Sequence, residues 1–452
     1  IENPEQYPSF LKKKWVLINP AERREIILGQ MKEIVSYLNK EGKQRRILED
    51  EELLEEIVYS VEYPTLFWGE FDPHFLSLPS PVLKACLRDY QNHFSVVEGE
   101  TFQPYFVGVR EGNRKYLRKV IEGNQRVLNA RLSDAKFFFE EDKKIPLEKR
   151  VPFLKEIVVQ EKLGSYYDKT LRLVKLADRI TTSLKVDEKT REIVKEAAYL
   201  CKADLTTQIV KEFPSLEGIM GKEYALYFKK SPQVAQAILE HKMPRSNEDK
   251  LPQTLPGAIL ALTDKLDTLI GSFWAGFIPS GSEDPWGLRR EAQGIIEIIL
   301  AREWEVSLDS LVKESLRLYK GERKELNLKI KEFFRARIVN ILKEKKVKAD
   351  QIKAILKIDD NKPVKIIKRG EALSKAASRE EFKEEVIAIV RLLNILTQAE
   401  RWNLKIPKKI KEELNSIFRE KGLICEGFLL SEVKDLGNPS TSKDDKVILS
   451  QS

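Results

Sequence analysis

The chain has 452 residues, of which 42% are hydrophobic and 33% are charged, and its formal net charge is +8. This length exceeds what one ordinary hydrophobic core serves, so we expect two to four domains. The composition excludes a disordered chain. No apolar run is long enough to cross a bilayer, so no membrane segment is expected. The 3 cysteines lie far apart, which excludes a disulfide framework and favours a reducing, cytoplasmic compartment.

The first region, residues 1–120, is predicted to be mixed α and β. Its opening, IENPEQYPSF, has no initiator Met and no signal peptide, so we expect it to lie inside a longer chain. Apolar spacing predicts helices over about 20–39 and 50–61. The runs NHFSVVEG and QPYFVGVRE have strand length and composition, with EGET as the turn between them. This is the only part of the chain where we expect a sheet.

From about Lys115 the sequence is predicted to be almost wholly helical. Gly123-Asn124 interrupts the first helical run, and Ser133 or Asp134 could cap a new segment. Residues 153–180 read as a long helical run broken at Gly164. Residues 192–213 read as one amphipathic helix that ends at Pro214.

Two amphipathic helices are predicted later in the chain, over 308–320 and 330–343, and one or two more after about Glu371. In the second of these, a stripe from Ile330 to Leu342 forms the buried face. The chain ends in NPSTSKDDKVILSQS, which is polar and expected to be disordered.

The stretch from Leu255 to Ile295 is the most distinctive part of the chain. It reads LPGAILALTDKLDTLIGSFWAGFIPSGSEDPWGLRREAQGI. The first part predicts a helix with an apolar stripe, and Asp264 and Asp267 lie one turn apart on the flank away from it. A Gly/Pro/Ser-rich loop follows, and Arg289-Arg290 opens a second helix.

The positive charge is concentrated between Lys320 and Arg369, where 17 Lys and Arg stand against 7 Asp and Glu. The resulting +10 exceeds the net charge of the whole chain. Such a segment favours a phosphate-rich partner such as nucleic acid. A Lys-rich helical surface facing solvent is the alternative, and charge alone does not decide between them.

Motifs of nucleotide hydrolysis, hydride transfer and zinc proteolysis are absent from the sequence: it has 3 histidines and no GxxxxGK[ST], GxGxxG, GxSxG or HExxH. The runs AAYLCKADL (197–205) and ALTDKLD (261–267) nevertheless resemble the layout of HD phosphohydrolases, on a helical background. Cys201-Lys202 stands where that family has its metal-binding His-Asp doublet.

A lysine ammonium at this place would repel a metal ion, and the remaining acids, Asp204, Asp264 and Asp267, form at best a weak Mg²⁺ site. We therefore predict a helical scaffold that has lost HD chemistry, with no catalytic residue, metal or cofactor of its own. The alternative is an active HD-type metal-dependent phosphohydrolase that uses these three acids.

Several long runs, in order, resemble the β subunit of the bacterial heterotetrameric glycyl-tRNA synthetase. The runs are GNQRVLNARLSDAKFFFEED (123–142), QEKLGSYYDK (160–169), LCKADLTTQIVKEFPSLEGIMGKEYA (200–225) and the 255–295 stretch. The resemblance implies a tRNA-binding subunit of a glycine–tRNA ligase that does not itself activate glycine. It also implies an α-subunit partner that uses ATP and Mg, tRNA(Gly) as substrate, and a tetramer of two α and two β subunits.

The same resemblance implies a mainly α, multi-domain fold. It places a mixed α/β region at 1–120, a degenerate HD-like helical domain at 121–300 and a basic helical segment at 301–370. A partial, anticodon-binding-like helical domain follows at 371–435 and a disordered tail at 436–452. The N-terminal region of the family is expected to precede the first residue of this sequence. A stand-alone helical RNA-binding protein descended from such a subunit is a further alternative.

Basic residues in the family-like runs and on the outer face of the 330–343 helix are the candidates for RNA contact, since arginine binds phosphate well. They are Arg126, Arg131, Lys136, Arg289, Arg290, Lys331, Arg335, Arg337 and Lys343. The alternative for Arg131 and Arg289 is pairing with Asp134, Asp264 or Asp284. Aromatic rings around the loop could stack on an unpaired base, although core packing is the more common use. These rings are Trp274, Phe277 and Trp286.

Overall fold

A computed structural model describes residues 4–40, 42–246, 249–281, 283–321, 324–358 and 361–401. The described chain is mostly helical, with a small antiparallel sheet near its start. It divides into two compact units. The first comprises Ile1–Asp178, Val186–Lys242 and Pro252–Ala261, and the second comprises Arg179–Lys185, Met243–Leu251 and Leu262–Ser452. No helix among the described residues is long and apolar enough to cross a membrane.

The strands are β1 (Arg45–Ile47), β2 (Pro64–Glu70), β3 (Phe94–Glu98), β4 (Thr101–Glu111), β5 (Val158–Gln160) and β6 (Gly164–Ser165). The helices of the first half are α1 (Tyr7–Lys13), α2 (Pro20–Leu38), α3 (Glu51–Ser60), α4 (Ser80–Gln91), α5 (Leu117–Asp142), α6 (Leu147–Arg150), α7 (Tyr166–Ser183), α8 (Glu188–Leu200), α9 (Gln208–Glu212), α10 (Ile219–Tyr227) and α11 (Pro232–Glu240). Those of the second half are α12 (Leu255–Ala275), α13 (Leu288–Ala301), α14 (Leu308–Leu316), α15 (Lys324–Glu344), α16 (Ala349–Leu356), α17 (Pro363–Ala377) and α18 (Phe382–Arg401).

The sheet of the first region has the strand order β1-β3-β4-β2, with every neighbouring pair antiparallel. The predicted hairpin of β3 and β4 is confirmed, as are α2 and α3. Helix α2 packs on one face of the sheet over a core that includes Ile27, Leu66 and Val107. A residue larger than glycine would not fit at position 108, because its Cβ would lie 2.5 Å from the Phe67 ring.

The prediction that the first region contains the only sheet is wrong, because β5 and β6 form a second, two-stranded sheet. The predicted long helical run over 153–180 is accordingly wrong in its first half. Gly164 adopts a φ of +78°, a conformation that glycine reaches readily, and the Asp168 carboxylate accepts the Ser165 N–H at 2.8 Å. These two features turn the chain from β5 into α7.

Helix α5 is continuous over 26 residues, so the predicted interruption at Gly123-Asn124 is wrong. The Asn124 amide donates to the Val120 carbonyl at 2.8 Å, and Asn129 donates to the Gln125 carbonyl at 2.9 Å. Because these amides bond carbonyls of the same helix, they do not compete with it as they would at a turn. A single glycine costs a helix only about 1 kcal/mol relative to alanine.

The predicted single helix over 192–213 is also wrong, since the chain breaks after Leu200 into a 3₁₀ turn and then restarts as α9. The restart is capped by Thr207, whose hydroxyl accepts the Val210 N–H at 3.3 Å. The apolar residues keep helical spacing across this break, so the sequence pattern does not show that α8 ends at Leu200.

In the second unit, α15 packs against α13, α14 and α17. Its predicted buried stripe is confirmed from Ile330, which is 0% exposed, to Leu342, also 0% exposed. Residues 402–452 lie outside the described part of the chain, and so do the predicted tail and much of the predicted 371–435 domain. The other predicted domain boundaries stay predictions.

The Asp142 carboxylate joins several elements of the first unit. It is 1% exposed and lies at the end of α5. Its Oδ1 accepts the Arg150 guanidinium at 3.1 Å and the Gln208 N–H at 2.9 Å. Its Oδ2 accepts the Ile209 N–H at 3.1 Å and the Tyr224 hydroxyl at 2.9 Å. One side chain therefore fixes α6, the start of α9 and α10 against α5.

Replacing Asp142 by alanine should lower the free energy of unfolding by about 3–5 kcal/mol, because it leaves the buried Arg150 cation uncompensated. Urea denaturation followed by circular dichroism measures the change. The exposed Asp134 of the same helix is the matched control, and Asp134→Ala should shift stability by no more than about 0.5 kcal/mol. Equal stability of the two variants would contradict the assigned role of Asp142.

Candidate functional site

The three candidate cations of α5 differ in their surroundings. Arg126 is exposed, whereas Arg131 and Lys136 are half-buried. The Arg131 guanidinium lies 4.5 Å from the centre of the Tyr90 ring and 3.3 Å from the Glu212 carboxylate. Arg131 therefore pairs with an acid, as the alternative interpretation expected. The acid is Glu212, and not Asp134, Asp264 or Asp284.

Three other candidates, Arg289, Arg290 and Arg337, line one cleft of about 890 Å³ in the second unit. Arg289 and Arg290 begin α13, and Arg337 reaches the cleft from α15. The cleft wall also contains acids, among them Asp284. The Asp284 carboxylate accepts the backbone N–H of Arg289 at 2.9 Å, while the Arg289 guanidinium donates to the Gly281 carbonyl at 2.5 Å.

Arg337 is held in place on the cleft wall by its own helix. Its guanidinium lies 4.2 Å from the centre of the Phe333 ring and donates to the Phe333 carbonyl at 3.0 Å. Burial lowers the pKa of Arg337, and the charge of Arg289 lowers it further. An arginine stays charged in proteins, so two guanidinium charges face the same space. The cleft thus combines the donors of Arg289, Arg290 and Arg337 with the carboxylates of Asp284, Glu297 and Glu344.

The remaining candidates of α15 lie elsewhere on that helix. Lys331 and Arg335 line a separate, mainly apolar pocket of about 310 Å³. The Arg335 guanidinium donates to the Leu356 carbonyl at 2.6 Å. Lys343 is exposed. The structure therefore distributes the predicted RNA contacts over several surfaces. It brings Arg289, Arg290 and Arg337 together around one cleft, and Lys331 and Arg335 around another pocket.

The aromatic residues around the loop also separate. Trp274 stacks on Tyr319 with ring centres 5.5 Å apart. Phe277 and Trp286 lie 5.8 Å apart and remain 36% and 44% exposed. Packing within the protein accounts for Trp274, whereas the other two rings keep a surface that could stack on a base.

The predicted degenerate HD positions of the first unit are buried. Cys201 is 0% exposed and Lys202 is 2% exposed. The Lys202 ammonium donates to Glu217 Oε1 and to His241 Nε2, each at 3.0 Å. His241 Nδ1 lies 2.5 Å from the Ile238 carbonyl. Because a carbonyl only accepts and an ammonium only donates, Nδ1 carries the proton and the imidazole is neutral.

Glu217 is the anion that balances this lysine. Burial by itself would raise the pKa of Glu217, but the charges of Lys202 and Lys242 hold it well below its ordinary value. The Lys202 ammonium thus lies between a carboxylate and a neutral imidazole.

Asp204 lies beside this cluster and is 0% exposed. Its Oδ2 accepts the backbone N–H groups of Gly218 at 2.6 Å and Gly221 at 3.0 Å, while its Oδ1 has no hydrogen-bond partner. Burial raises the pKa of Asp204 to about 7, and the charge of Glu217 adds to the effect. This carboxyl therefore exchanges its proton near neutral pH.

The two acids of α12 belong to the second unit. Asp264 is 6% exposed and Asp267 is 2% exposed, so neither faces solvent. The Tyr319 hydroxyl donates to Asp267 Oδ1 at 2.7 Å. Within the described residues, no group of three His, Cys, Asp or Glu side chains is placed to hold a metal ion.

Sequence reasoning missed the partners of these groups. It does not single out Glu217 or Asp142. Each is one charged residue among many in the sequence, and its importance arises from burial beside a distant segment. Gly218 carries a faint signal, since a glycine adjacent to an acid allows a close backbone approach.

Comparison with known proteins identifies the family. The family model for the glycyl-tRNA synthetase beta subunit matches residues 1–357. A glycine–tRNA ligase beta subunit of Halothermothrix orenii is 37% identical over 96% of this chain and 65% of the relative. The one of Desulforamulus reducens is 39% identical over 88% and 58%, and that of Bacillus subtilis 37% identical over 90% and 58%.

These matches place the chain among the subunits of aminoacyl-tRNA synthetases. It belongs to the glycyl-tRNA synthetase beta subunit family, which confirms the resemblance of the quoted sequence runs. The chain spans between 58% and 65% of the length of these relatives.

The proton of Asp204 predicts a specific pH dependence of stability. Its pKa is raised from the ordinary value of 3.8 to about 7 on folding, so between these values the folded state keeps a proton that the unfolded state has lost. The stability contributed by this proton is present below about pH 4 and is lost as pH rises through about 7. Between pH 5 and pH 8 the loss should amount to roughly 2 kcal/mol.

Asp204→Asn should abolish this loss, because its amide does not titrate. Urea unfolding gives the free energy of unfolding of the wild type and of the variant at pH 5 and at pH 8. The difference between the two proteins should change between these pH values by the amount that the wild type loses. Asp134→Asn, at an exposed position, should follow the wild type at both pH values. A stability difference that is the same at pH 5 and pH 8 would contradict the assigned proton on Asp204.

Proposed function

We propose that this protein acts as the tRNA-binding, non-activating β subunit of a glycine–tRNA ligase. In this role it positions tRNA(Gly) for ATP-dependent glycylation at the active site of a separate α subunit, in the cytoplasm. ATP and Mg are used by the α subunit, and the assembly contains two α and two β chains. The observation that carries the proposal is membership of the family together with the arginine-lined cleft.

The cleft supports phosphate binding by its geometry. Arg289 and Arg337 come from different helices, and the lowered pKa of Arg337 reflects both burial and the neighbouring charge of Arg289. The oxygens of a phosphodiester match the planar donors of such guanidinium groups. Three carboxylates, those of Asp284, Glu297 and Glu344, line the same cleft.

The region 121–300 is proposed to be an HD-like domain without HD chemistry, and the helices after residue 370 to contribute to anticodon binding. Lys202 supports the first part, because its ammonium is buried between Glu217 and His241 in place of a metal ligand. Arg126, Lys136, Lys331, Arg335 and Lys343 are proposed as further phosphate contacts. The comparisons lend no support to a phosphohydrolase or to a stand-alone RNA-binding protein.

Removing both cleft arginines at the start of α13, with Arg289→Ala and Arg290→Ala together, should weaken tRNA binding by about tenfold or more. The slope of log affinity against log salt should fall by roughly 1 for each phosphate that the variant no longer binds, because fewer counterions are released. Electrophoretic mobility shifts with tRNA(Gly) over a series of salt concentrations measure both quantities.

The double variant Lys13→Ala with Lys14→Ala is the matched control, since it removes the same charge from exposed positions of the first unit. It should leave the salt slope within error of the wild type. Equal effects of the two double variants would show that net charge, and not the cleft, determines binding. Thermal unfolding of each variant establishes that the fold is retained.

The division of labour between subunits predicts the outcome of glycylation assays. This chain alone should show no glycine-dependent exchange of pyrophosphate into ATP, whereas the α subunit should catalyse that exchange. Glycylation of tRNA by the α subunit should increase when this chain is added, and Arg289→Ala with Arg290→Ala should reduce that increase without changing the exchange reaction. Exchange by this chain alone, or no increase on its addition, would contradict the proposal.

A further inference from the structure

The rim of the first sheet carries three aromatic rings and two cations in contact, which we term the Tyr37 patch. Tyr37 of α2 lies 5.4 Å from Trp68 of β2, and Trp68 lies 6.0 Å from Tyr105 of β4, measured between ring centres. Lys40 lies over the Tyr37 ring at 4.6 Å, and the Arg45 guanidinium lies over the Tyr105 ring at 4.7 Å. None of these residues belongs to the surfaces described above.

The rings differ in exposure. Trp68 and Tyr105 are partly buried and pack against the core between α2 and the sheet. They lie on the same face because Trp68 pairs with Val107, two residues after Tyr105. Tyr37 is 52% exposed. The patch is therefore an exposed ring supported from beneath by two rings that the core holds still.

Basic residues follow directly along the chain. Residues 40–46 read KEGKQRR, with four cations and one acid. The Asn39 amide closes this segment, accepting the Arg45 N–H at 2.8 Å and donating to the Arg45 carbonyl at 2.8 Å. Lys43 and Arg46 are exposed. Arg46 lies on the other face of the sheet from Arg45, because successive strand residues alternate, and it donates to the Gly99 carbonyl at 3.4 Å. It therefore does not belong to the patch.

We propose that the Tyr37 patch binds an unpaired nucleotide of a single-stranded RNA segment. The base stacks on the Tyr37 ring, and the flanking phosphates bind Lys40 and Lys43. A flat ring on a rigid support beside several cations is the combination that single-stranded nucleic acid binding requires. An acidic peptide would use the cations but not the ring face, and it is therefore the less suitable occupant.

Lys40 lies over the Tyr37 ring and leaves it when a base stacks there. Its contact with the Tyr37 ring is an exposed cation–π interaction, which is weaker than stacking of a base on the same ring. When a base occupies the ring, the ammonium of this exposed lysine is able to turn to a phosphate. The Glu98 carboxylate accepts the Gln44 N–H at 3.2 Å and thereby shapes the segment.

The identity of the RNA as tRNA rests on the proposed function, whereas the chemistry of the patch rests on its own contacts. The test uses the full chain and a fluorescein-labelled, unstructured RNA oligonucleotide, with an RNA duplex of the same composition for comparison. Fluorescence anisotropy should show tighter binding of the single strand. Tyr37→Ala should weaken single-strand binding about tenfold, and Tyr37→Phe should change it by no more than about twofold.

Tyr59→Ala is the matched control, because Tyr59 is 66% exposed on α3 of the same unit. It should bind the oligonucleotide as the wild type does. Lys40→Ala with Lys43→Ala should lower the salt slope by roughly 1.4, since each single-strand phosphate contact contributes about 0.7. Unchanged binding by Tyr37→Ala, or an equal loss in Tyr37→Phe, would overturn the proposed stacking. So would binding of a polyglutamate peptide that Tyr37→Ala weakens as much as RNA binding.

Failure of this inference is distinguishable from failure of the proposed function. If Tyr37→Ala leaves oligonucleotide binding unchanged while Arg289→Ala with Arg290→Ala weakens tRNA binding, only the Tyr37 patch is rejected. If the chain binds the oligonucleotide through Tyr37 but the α13 double variant leaves tRNA binding and glycylation unchanged, the patch stands and the proposed role of the cleft is rejected.

Discussion

The arrangement of helices in the first unit depends on the buried carboxylate of Asp142. A buried anion is tolerated only when its lone pairs are filled by well-placed donors. Here they are filled by donors from three elements: Arg150 of α6, the first amides of α9 and the Tyr224 hydroxyl of α10. Asp204 lies just before α9 and Glu217 lies between α9 and α10, so the contacts of Asp142 also help to position the second ionic cluster.

The second cluster comprises Lys202, Asp204, Glu217 and His241. It has the residue types of a catalytic centre, but most of their polar groups are occupied by contacts within the protein. The Lys202 ammonium is engaged by Glu217 and by the neutral His241 ring, and the ring nitrogens are both used. A group that exchanges its proton near neutral pH, Asp204, has two backbone amides on one oxygen. Perturbed pKa values mark functional sites only in combination with access, and Lys202, Asp204 and His241 are each at most 2% exposed.

Local sequence accounts for the elements whose partners are near in the chain. Spacing predicted α2, α3 and the β3–β4 hairpin, because period and turn chemistry determine such elements. It failed after Leu200, where distant contacts and a new cap at Thr207 end one helix and start another. For the site, spacing correctly placed Arg337 outside the buried stripe of α15. It could not show that Arg337 meets Arg289, since that depends on how α13 packs on α15.

Charge counting and charge placement lead to different conclusions about the basic segment. Two of its lysines pair with acids outside the segment: Lys345 with Glu371 at 2.6 Å, and Lys368 with Glu303 at 3.0 Å. Exposed pairs of this kind contribute little to stability, so a phosphate could compete for either lysine. The arginine-lined cleft bears on the choice of partner more directly, because Arg289 and Arg337 reach the same space from two helices. Three acids, Asp284, Glu297 and Glu344, line that space as well, so the planar donors of the arginines, and not a net positive charge, are what the cleft would offer a phosphate.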